Sequence, residues 1–330
     1  MIDLELIKNI LSKEPAYRLK QVYQVIFKDL SDSWQKTTIL PDKLKSILSQ
    51  KCPLLVNADK TISEKDTIKA RIILDDGLKV ETVLMRHDKR NTVCVSSQIG
   101  CPLGCKFCAT GSVGFKRNLT DSEIVGQIVF FARILKKGNE KIDNIVFMGM
   151  GEPFLNYDNV IKAIRIINDK NGLNIGARHI SISTIGIPEK IRQLGQENLQ
   201  INLAISLHSP NDAIRSSLMP FNDKIPIKKV LEAVDDYIKI TKRQVMFGYL
   251  LIDGINDSKE CAQELSFLMR NSLYFVNLIL YNPTDNKLKP SKRFQVDSFK
   301  KVLKRNKIKF SERYRFGQNI DAACGQLAGK

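Results

Sequence analysis

The sequence predicts an α/β fold: a small helical N-terminal segment and a connecting β-hairpin precede a partial (βα)6 TIM-like barrel. Three patterns support this prediction. Apolar residues first recur at helical spacing, then alternate with period two, and finally form short apolar runs separated by amphipathic stretches. Alternating strands and helices build a parallel sheet covered by helices. Six units are too few for a closed eight-stranded barrel, so an open barrel is preferred and a doubly wound sheet is the alternative.

Two patterns mark the segments that precede the barrel. Leu4, Ile7 and Leu11 share one face at helical spacing, so short helices are expected near the N-terminus. Further on, alternating residues flank an Asp-Asp-Gly turn at 75–77, which is typical of a β-hairpin. We therefore divide the chain into a helical accessory domain at 1–60, a β-hairpin extension at 61–90, and the barrel with a C-terminal segment at 91–330.

Each of the six barrel units is an apolar run followed by an amphipathic stretch. The first helix has a clear start, because Thr120 and Glu123 have the spacing of a capping box. The expected strands are 92–96, 145–148, 179–183, 201–206, 245–250 and 275–280. The expected helices are 120–137, 158–169, 188–196, 226–240, 258–270 and 294–306.

The chain is strongly basic. Its 52 lysines and arginines against 35 acidic residues give a net charge of +17. Such an excess makes a polyanion such as nucleic acid the natural partner, although a generally lysine-rich proteome would produce the same excess. Basic stretches at 86–90, 287–293 and 300–309 favour the nucleic-acid explanation.

Cysteine use and hydropathy indicate the compartment. Seven cysteines at irregular spacing argue against a disulfide framework. The sequence has no apolar run long enough to span a bilayer and no basic-then-apolar signal at its start. We therefore expect a cytoplasmic protein that does not contact a membrane.

Three of the cysteines lie in one short loop, at Cys101, Cys105 and Cys108. Three thiolates at this spacing can converge on one [4Fe-4S] cube, and a cube has four irons, so one iron keeps an open position for another ligand. A zinc site or three unrelated thiols are the alternatives. Zinc sites favour C-x2-C pairs followed by a second pair or by histidines, and no such pair follows here, so the cluster is preferred.

Small and polar residues follow the predicted strands, where a barrel carries its active site. They are Gly149–Pro153 after the second strand, Ser183–Gly186 after the third, Ser206–His208 after the fourth, Asp253 after the fifth and Asn282 after the sixth. Taken singly, a glycine segment can be a simple turn and a histidine can be a satisfied core residue. Their shared position predicts that a polar small molecule binds across the barrel mouth, beside the cluster.

Together these motifs resemble a known superfamily. Cys101, Cys105 and Cys108 are similar to the C-x3-C-x2-C signature of radical S-adenosylmethionine (SAM) enzymes, including Phe107 before the last cysteine. Over nearly the whole chain the sequence resembles the adenosine C2 methyltransferases of the RlmN family. The segments that carry this resemblance are Cys94–Gln98, Phe147–Pro153, Ser206–His208 and Asp321–Leu327. The sister Cfr family, which methylates C8 of the same ribosomal adenosine, shares most of them.

The resemblance implies two cofactors, a [4Fe-4S] cluster and SAM. The three loop cysteines would hold the cluster, and the amino and carboxylate groups of SAM would chelate the open iron. A flexible glycine, a carboxylate, hydroxyls and an amide suit the amino, ribose and adenine groups of SAM. The residues implied as SAM contacts are Gly151, Glu152, Ser183, Ser206, Leu207, His208 and Asn282.

The resemblance also implies a methyl carrier, because C2 of adenine has no nucleophilic lone pair for a polar methyl transfer. Cys324 would receive a methyl group from one SAM molecule, and a second SAM would supply a radical that removes hydrogen from it. The methylene would then add to the base. Cys94 would release the product by forming a disulfide with Cys324, and Glu81 would accept the proton. The remaining cysteines, Cys52 and Cys261, match no family motif.

The partners implied by the resemblance are RNA molecules. The family methylates an adenosine in the peptidyl-transferase region of 23S rRNA and an anticodon-loop adenosine of tRNA, with an electron donor such as flavodoxin or ferredoxin. The helical domain at 1–60 resembles the family's RNA-binding accessory domain. We expect a monomer that binds RNA through phosphate contacts and reaches a base that is extruded or lies in a loop.

Two rival functions stay open. A Cfr-type C8 methyltransferase that confers ribosomal antibiotic resistance is the closest, and two segments point in opposite directions. Pro153 favours the C2 family, whereas the run Ser183-Thr184-Ile185-Gly186 is more similar to the sister family. The second rival is an RNA-binding protein that holds a structural metal and has no catalytic activity.

Overall fold

The computed structural model describes residues 2–284 and 288–329, so Lys287, the first residue of one basic stretch, lies outside the described ranges. The N-terminal part is helical, as predicted. Asp3 caps the first helix by accepting a hydrogen bond from the N–H of Leu6 at 2.9 Å. The helices are α1 (Leu4–Ile10), α2 (Tyr17–Tyr23) and α3 (Asp42–Lys51), with a single π-turn at Gln24–Lys28 that continues α2.

The predicted hairpin is present and is larger than expected. Its turn contains Gly77 at φ 77°, a left-handed conformation that glycine adopts without strain. An additional strand pairs antiparallel with the hairpin, where the sequence showed too little apolar alternation to indicate one. The strands are β1 (Ala58–Glu64), β2 (Thr67–Ile73), β3 (Lys79–His87) and β4 (Arg90–Val95).

The rest of the chain alternates strands and helices, which confirms the six predicted βα units. The strands are β5 (Gln98–Gly100), β6 (Phe115–Asn118), β7 (Asn144–Phe147), β8 (Ile180–Thr184), β9 (Asn202–Ser206), β10 (Val245–Leu251), β11 (Tyr274–Leu280) and β12 (Phe310–Glu312). The helices are α4 (Ala109–Val113), α5 (Asp121–Lys137), α6 (Tyr157–Asn168), α7 (Pro188–Gly195), α8 (Asp212–Leu218), α9 (Ile227–Thr241), α10 (Lys259–Leu268) and α11 (Arg293–Arg305). The capping box of α5 forms as predicted.

The large sheet has ten strands in the order β1-β2-β3-β4-β7-β8-β9-β10-β11-β12, and the strands from β4 onward run parallel. A doubly wound sheet reverses its strand order at a switch point, whereas this order follows the chain throughout. The predicted open barrel is therefore confirmed, and the doubly wound alternative is wrong. In the described residues, β1 and β12 form the two free edges of the sheet, so the barrel is partial.

Five short elements near the site were not predicted, namely α4, α8, β5, β6 and β12, and two of them matter most for the site. Helix α8 follows β9 directly, and β12 pairs parallel with β11 through Val276 and Phe310. A strand of three residues is too short to display a period of two. Its pairing brings the C-terminal segment back across the barrel mouth, which has consequences for the site.

The N-terminal helices dock on the barrel. Their buried side chains, including Ile7 and Trp34, belong to the same continuous apolar cluster as those of the sheet. Arg133 on α5 donates hydrogen bonds to the carbonyl oxygens of Leu30, Ser31 and Leu54. The domain boundaries at 1–60 and 61–90 stay a prediction. Among the described residues no helix has the length and apolar character needed to cross a bilayer.

Replacing Arg133 tests how the N-terminal segment is held. We expect Arg133→Ala to lower the free energy of unfolding by about 2 kcal/mol, because three carbonyl groups at the interface lose their shared donor. Chemical denaturation measures this change. Lys162→Ala, at an exposed position on α6, is the control and should change stability by less than about 0.5 kcal/mol. If Arg133→Ala and Lys162→Ala lowered the free energy of unfolding equally, the hydrogen bonds of Arg133 would not be what holds the N-terminal segment.

Candidate active site

The carboxyl ends of the parallel strands open onto one cleft, as expected for a βα barrel. Nine of the predicted site residues line it: Cys101, Cys105, Cys108, Gly151, Glu152, Ser183, Ser206, His208 and Cys324. The other four do not. Cys94 and Asn282 line an adjoining pocket that shares Cys324 with the cleft, Glu81 lines a third pocket, and Leu207 is fully buried.

The cysteine loop is held rigidly by its backbone. The N–H of Cys101 donates to the carbonyl oxygen of Gly114 at 3.1 Å, and Gly100 (φ 73°) has no room for a Cβ, which would lie 1.6 Å from that same oxygen. Phe107 packs edge-on against the ring of His208 at 4.9 Å. The loop therefore presents its three thiols to the cleft in a defined arrangement.

The thiols suit a metal cluster chemically. Burial raises the pKa of Cys101 to about 12, and the neighbouring Glu152 and Cys108 add to this effect. Burial and the other two loop thiols also raise the pKa of Cys105. Binding of iron replaces the thiol protons and so removes the cost of burying thiolates. In the described residues no three metal-binding side chains converge on a single ion; in a cube each of three cysteines binds a different iron.

Glu152 is a buried carboxyl group at the floor of the cleft. Its two oxygens accept backbone hydrogen bonds from Phe154 at 2.9 Å and from Ile185 at 2.8 Å. Burial raises its pKa to about 7, although these bonds and one to Thr184 favour the charged form. Gly151, at φ 96°, has no room for a Cβ, which would lie 2.4 Å from Cβ of Gln98. An ammonium group of a ligand would offset the cost of burying this carboxylate.

Ser183 and Ser206 lie side by side on neighbouring strands, with their Oγ atoms 3.4 Å apart. His208 is held at φ 56°, and its Nδ1 accepts a hydrogen bond from the N–H of Leu250 at 3.1 Å. Burial, with a smaller contribution from the charge of Arg215, lowers the pKa of His208 to about 3. The ring is therefore neutral with its proton on Nε2, so His208 is both a satisfied residue and part of the cleft wall.

Arg215 on α8 is a structural residue of the site that the sequence did not indicate. It is 1% exposed and donates to the carbonyl oxygens of Ile185, Ser206 and Leu207. Burial lowers its pKa to about 10, which leaves it charged at neutral pH. The three carbonyl groups lie at the carboxyl ends of β8 and β9 or directly after them, so this one guanidinium joins the strand ends that form the cleft. A lone arginine in a short helix gives no sequence signal for such a role.

The structure brings Cys94 and Cys324 together from distant parts of the sequence. Both line the pocket next to the cleft, and burial followed by the proximity of Cys324 raises the pKa of Cys94 to about 12. Asn282 donates from Nδ2 to the carbonyl oxygen of Cys324 at 3.2 Å. All seven cysteines are free thiols in this structure, so the disulfide implied by the resemblance is not formed.

Glu81 contacts the end of the chain rather than Cys324. Its Oε2 accepts hydrogen bonds from the N–H groups of Ala328 at 2.9 Å and Gly329 at 3.1 Å, and its Oε1 lies 3.3 Å from Nζ of Lys69. Thr110 donates to the carbonyl oxygen of Leu327, and this bond holds the same segment. Glu81 thus anchors the C-terminal tail that carries Cys324, a role that sequence spacing could not indicate.

Comparison with known proteins places this geometry in a wider group. A family model described as the radical SAM superfamily matches residues 95–265. The chain is 46% identical to a probable dual-specificity RNA methyltransferase RlmN of Dictyoglomus thermophilum, covering 98% of this chain and 94% of that protein. A protein of the same name from Geobacillus kaustophilus is 44% identical, and the matched region covers 96% of this chain and 88% of that protein.

One solved structure agrees with the whole fold. The crystal structure of a radical SAM methyltransferase from Sphaerobacter thermophilus superposes with a TM-score of 0.96 at 40% sequence identity. It covers 100% of this chain and 98% of the solved one. The similarity therefore includes the N-terminal helices and the C-terminal segment as well as the barrel.

Replacing Glu81 tests its contact with the tail. In Glu81→Ala we expect the amides of Ala328 and Gly329 to exchange hydrogen markedly faster, because both lose a charge-assisted acceptor. Glu81→Gln keeps an acceptor oxygen and should keep most of the protection. Hydrogen exchange read by mass spectrometry measures both, with Glu232→Ala on the exposed face of α9 as the control. Unchanged exchange at Ala328 and Gly329 in Glu81→Ala would show that Glu81 does not hold the tail.

Proposed function

The chain belongs to the radical SAM superfamily and to the RNA methyltransferases named RlmN, and from this premise we propose that it methylates C2 of specific adenosines. The proposed substrates are an adenosine in the peptidyl-transferase region of 23S rRNA and an anticodon-loop adenosine of tRNAs. The observation that supports this best is the convergence of Cys324 with the three loop cysteines on one cleft.

The residues of the cleft fit both cofactors of the superfamily. Cys101, Cys105 and Cys108 would hold a [4Fe-4S] cluster, and the buried Glu152 would accept hydrogen bonds from the amino group of SAM. The neighbouring serine hydroxyls and the neutral His208 would bond its ribose and adenine. When bound, the cluster and SAM supply a carbon radical able to remove hydrogen from a methyl group. The role of the protein is to place that methyl group and the base.

Cys324 is the proposed methyl carrier, because it lies at the junction of the cofactor cleft and the adjoining pocket. Its thiolate would take a methyl group from one SAM molecule, and hydrogen removal would use a second. The resulting methylene radical would add to C2 and leave the RNA joined to the sulfur, and the one electron that this adduct must lose would pass to the cluster held by the loop cysteines. The tail contacts hold this sulfur in place: Asn282 binds the carbonyl of Cys324, and the N–H of Ala109 donates to the carbonyl of Gly325 at 2.7 Å.

Release of the product needs a proton acceptor and a second thiol. The Cys94 thiol would lose its proton and attack the sulfur of Cys324, so that the carbon–sulfur bond breaks, a disulfide forms and the freed carbon takes up a proton to become the methyl group. The buried, protonated state of Cys94 keeps it unreactive until the adduct is in position. Glu81 is proposed to accept the C2 proton. The carboxylate of Glu81 binds the tail at 328–329, so the tail has to move away before Glu81 can accept the proton.

The products of the reaction test the proposed function directly. Purified protein loaded with iron and sulfide, given SAM, a reductant and 23S rRNA or tRNA, should yield 2-methyladenosine. Mass spectrometry of digested nucleosides, compared with synthetic standards, measures it. A yield of 8-methyladenosine would instead support the C8 activity that the segment Ser183–Gly186 resembles.

Variants of the proposed release residues should trap an intermediate. Cys94→Ala and Glu81→Gln are both expected to accumulate RNA covalently bound to protein, because either change blocks release after the methylene has added to the base. A denaturing gel with labelled RNA detects the adduct. Cys324→Ala should give neither adduct nor product and should keep its iron.

The matched control for these variants is Cys52→Ala, since Cys52 is buried among the N-terminal helices, away from the site. It should turn over normally. Full turnover by Cys324→Ala would contradict the carrier mechanism. Normal turnover by Glu81→Gln would limit Glu81 to anchoring the tail.

The loop cysteines should determine the iron content. Anaerobically reconstituted protein should be brown with about four irons per chain, and Cys105→Ala should lose most of this iron. Cys261→Ala, on α10, is the control and should keep it. Iron analysis and visible absorption measure the difference. A colourless, zinc-loaded protein that still binds RNA would support the non-catalytic alternative.

A further inference from the structure

Three aromatic rings form a cluster at the mouth of the pocket that contains Cys94 and Cys324. The rings of His87 and Tyr314 stack, with centroids 4.9 Å apart and planes inclined by 15°. Phe316 meets Tyr314 edge-on at 4.8 Å and His87 at 5.6 Å. We call these three residues the mouth platform.

The mouth platform is unusually exposed for an apolar cluster. Tyr314 is 62% exposed and the side chain of His87 is 47% exposed. Tyr314 and Phe316 nevertheless line the same pocket as the two cysteines. Rings that pack on one another but stay accessible beside a reactive thiol offer a surface on which a further flat ring can stack.

Four arginines lie close in sequence to the rings of the mouth platform. Arg86 and Arg90 lie beside His87 in the sequence, and Arg313 and Arg315 alternate with the other two rings. Two carboxylates face them: Asp88 lies 3.3 Å from His87 and 4.0 Å from Arg90, and Glu140 lies 3.6 Å from Arg86. The four arginines outnumber these carboxylates, so the surface favours a polyanion.

A chain of hydrogen bonds links the mouth platform to the carrier cysteine. Arg315 donates from Nε to Oδ1 of Asn282 at 3.2 Å and from Nη2 to the carbonyl oxygen of Tyr281 at 3.0 Å. Asn282 in turn donates to the carbonyl oxygen of Cys324. These bonds join Arg315, which lies between Tyr314 and Phe316 in the chain, to the segment that carries the thiol.

We propose that the mouth platform binds an unpaired nucleobase of the RNA, next to the adenosine that reaches Cys324. Stacking on Tyr314 would hold the flanking base, and Arg86 and Arg90, whose side chains are 32% and 64% exposed, would bind the phosphates on either side of it. Aromatic rings among arginines are the usual means of binding single-stranded RNA. This inference rests on the proposed function for its substrate class, and it assigns the residues that hold the strand open.

The test measures binding of an oligoadenylate strand and of a tRNA anticodon stem–loop to the iron-loaded protein. Tyr314→Ala should weaken both by about tenfold or more, the typical effect of removing one stacking ring. Tyr314→Trp should bind within about twofold of the unaltered protein. Its indole fluorescence should be quenched by RNA, and the one native tryptophan, Trp34, is 1% exposed and so should respond little.

Salt dependence separates stacking from charge. Tyr314→Ala should leave the slope of log affinity against log salt unchanged, because no charge is lost. Arg90→Ala should reduce that slope by about one. If Tyr314 served only to support the fold, RNA would not quench the indole fluorescence of Tyr314→Trp. That result would contradict stacking of a base on this residue.

Phe267→Ala is the matched control. Phe267 is 61% exposed and has the guanidinium of Arg270 over its ring at 5.1 Å, but it lines a separate pocket beside the start of β11. The Phe267→Ala variant should bind RNA as tightly as the unaltered protein. Normal binding by Tyr314→Ala, or equal losses in both variants, would overturn the mouth platform even if methylation proceeds. If neither the unaltered protein nor any variant methylates RNA, the proposed function is wrong. The RNA-binding measurements still test the mouth platform in that case.

Discussion

The position of Cys324 depends on hydrogen bonds that hold the C-terminal tail against the barrel. Glu81 accepts hydrogen bonds from the N–H groups of Ala328 and Gly329. Thr110 donates to the carbonyl oxygen of Leu327, and the N–H of Ala109 donates to that of Gly325. All these bonds involve the backbone of the tail, so they define its path without depending on its side chains. The cysteine is thereby placed at the junction between the cofactor cleft and the pocket that contains Cys94.

Burial controls the charge of the site. It raises the pKa of Glu152 and of the thiols of Cys94 and Cys101, and it lowers that of His208. Each shift favours the neutral form, since a charge in a cleft of low polarity is costly. Cations that enter the cleft, such as iron or an ammonium group, bring the partners that the ionised carboxylate and thiolates require. The site is therefore built to accept positive charge, although the whole chain carries +17.

That excess of positive charge lies on the outside, where RNA would approach. Long-range attraction by lysine and arginine brings RNA to the surface without selecting a base. Selection of the proposed adenosine would need contacts close to the thiol, and the exposed Tyr314 of the mouth platform lines the pocket that contains Cys324. The docked N-terminal helices extend the same body, because Arg133 joins them to α5 through three carbonyl groups.

The sequence by itself determined the local patterns: the periods of helix and strand, the capping box at Thr120, and the cysteine spacing from Cys101 to Cys108. It also indicated which residues follow each strand, since strand ends meet at one edge of a parallel sheet. Tertiary structure alone decided the anchoring role of Glu81, the buried position of Arg215 and the grouping of His87 with Tyr314. These depend on contacts between residues far apart in the chain, and a three-residue strand such as β12 carries too few side chains to reveal its pairing.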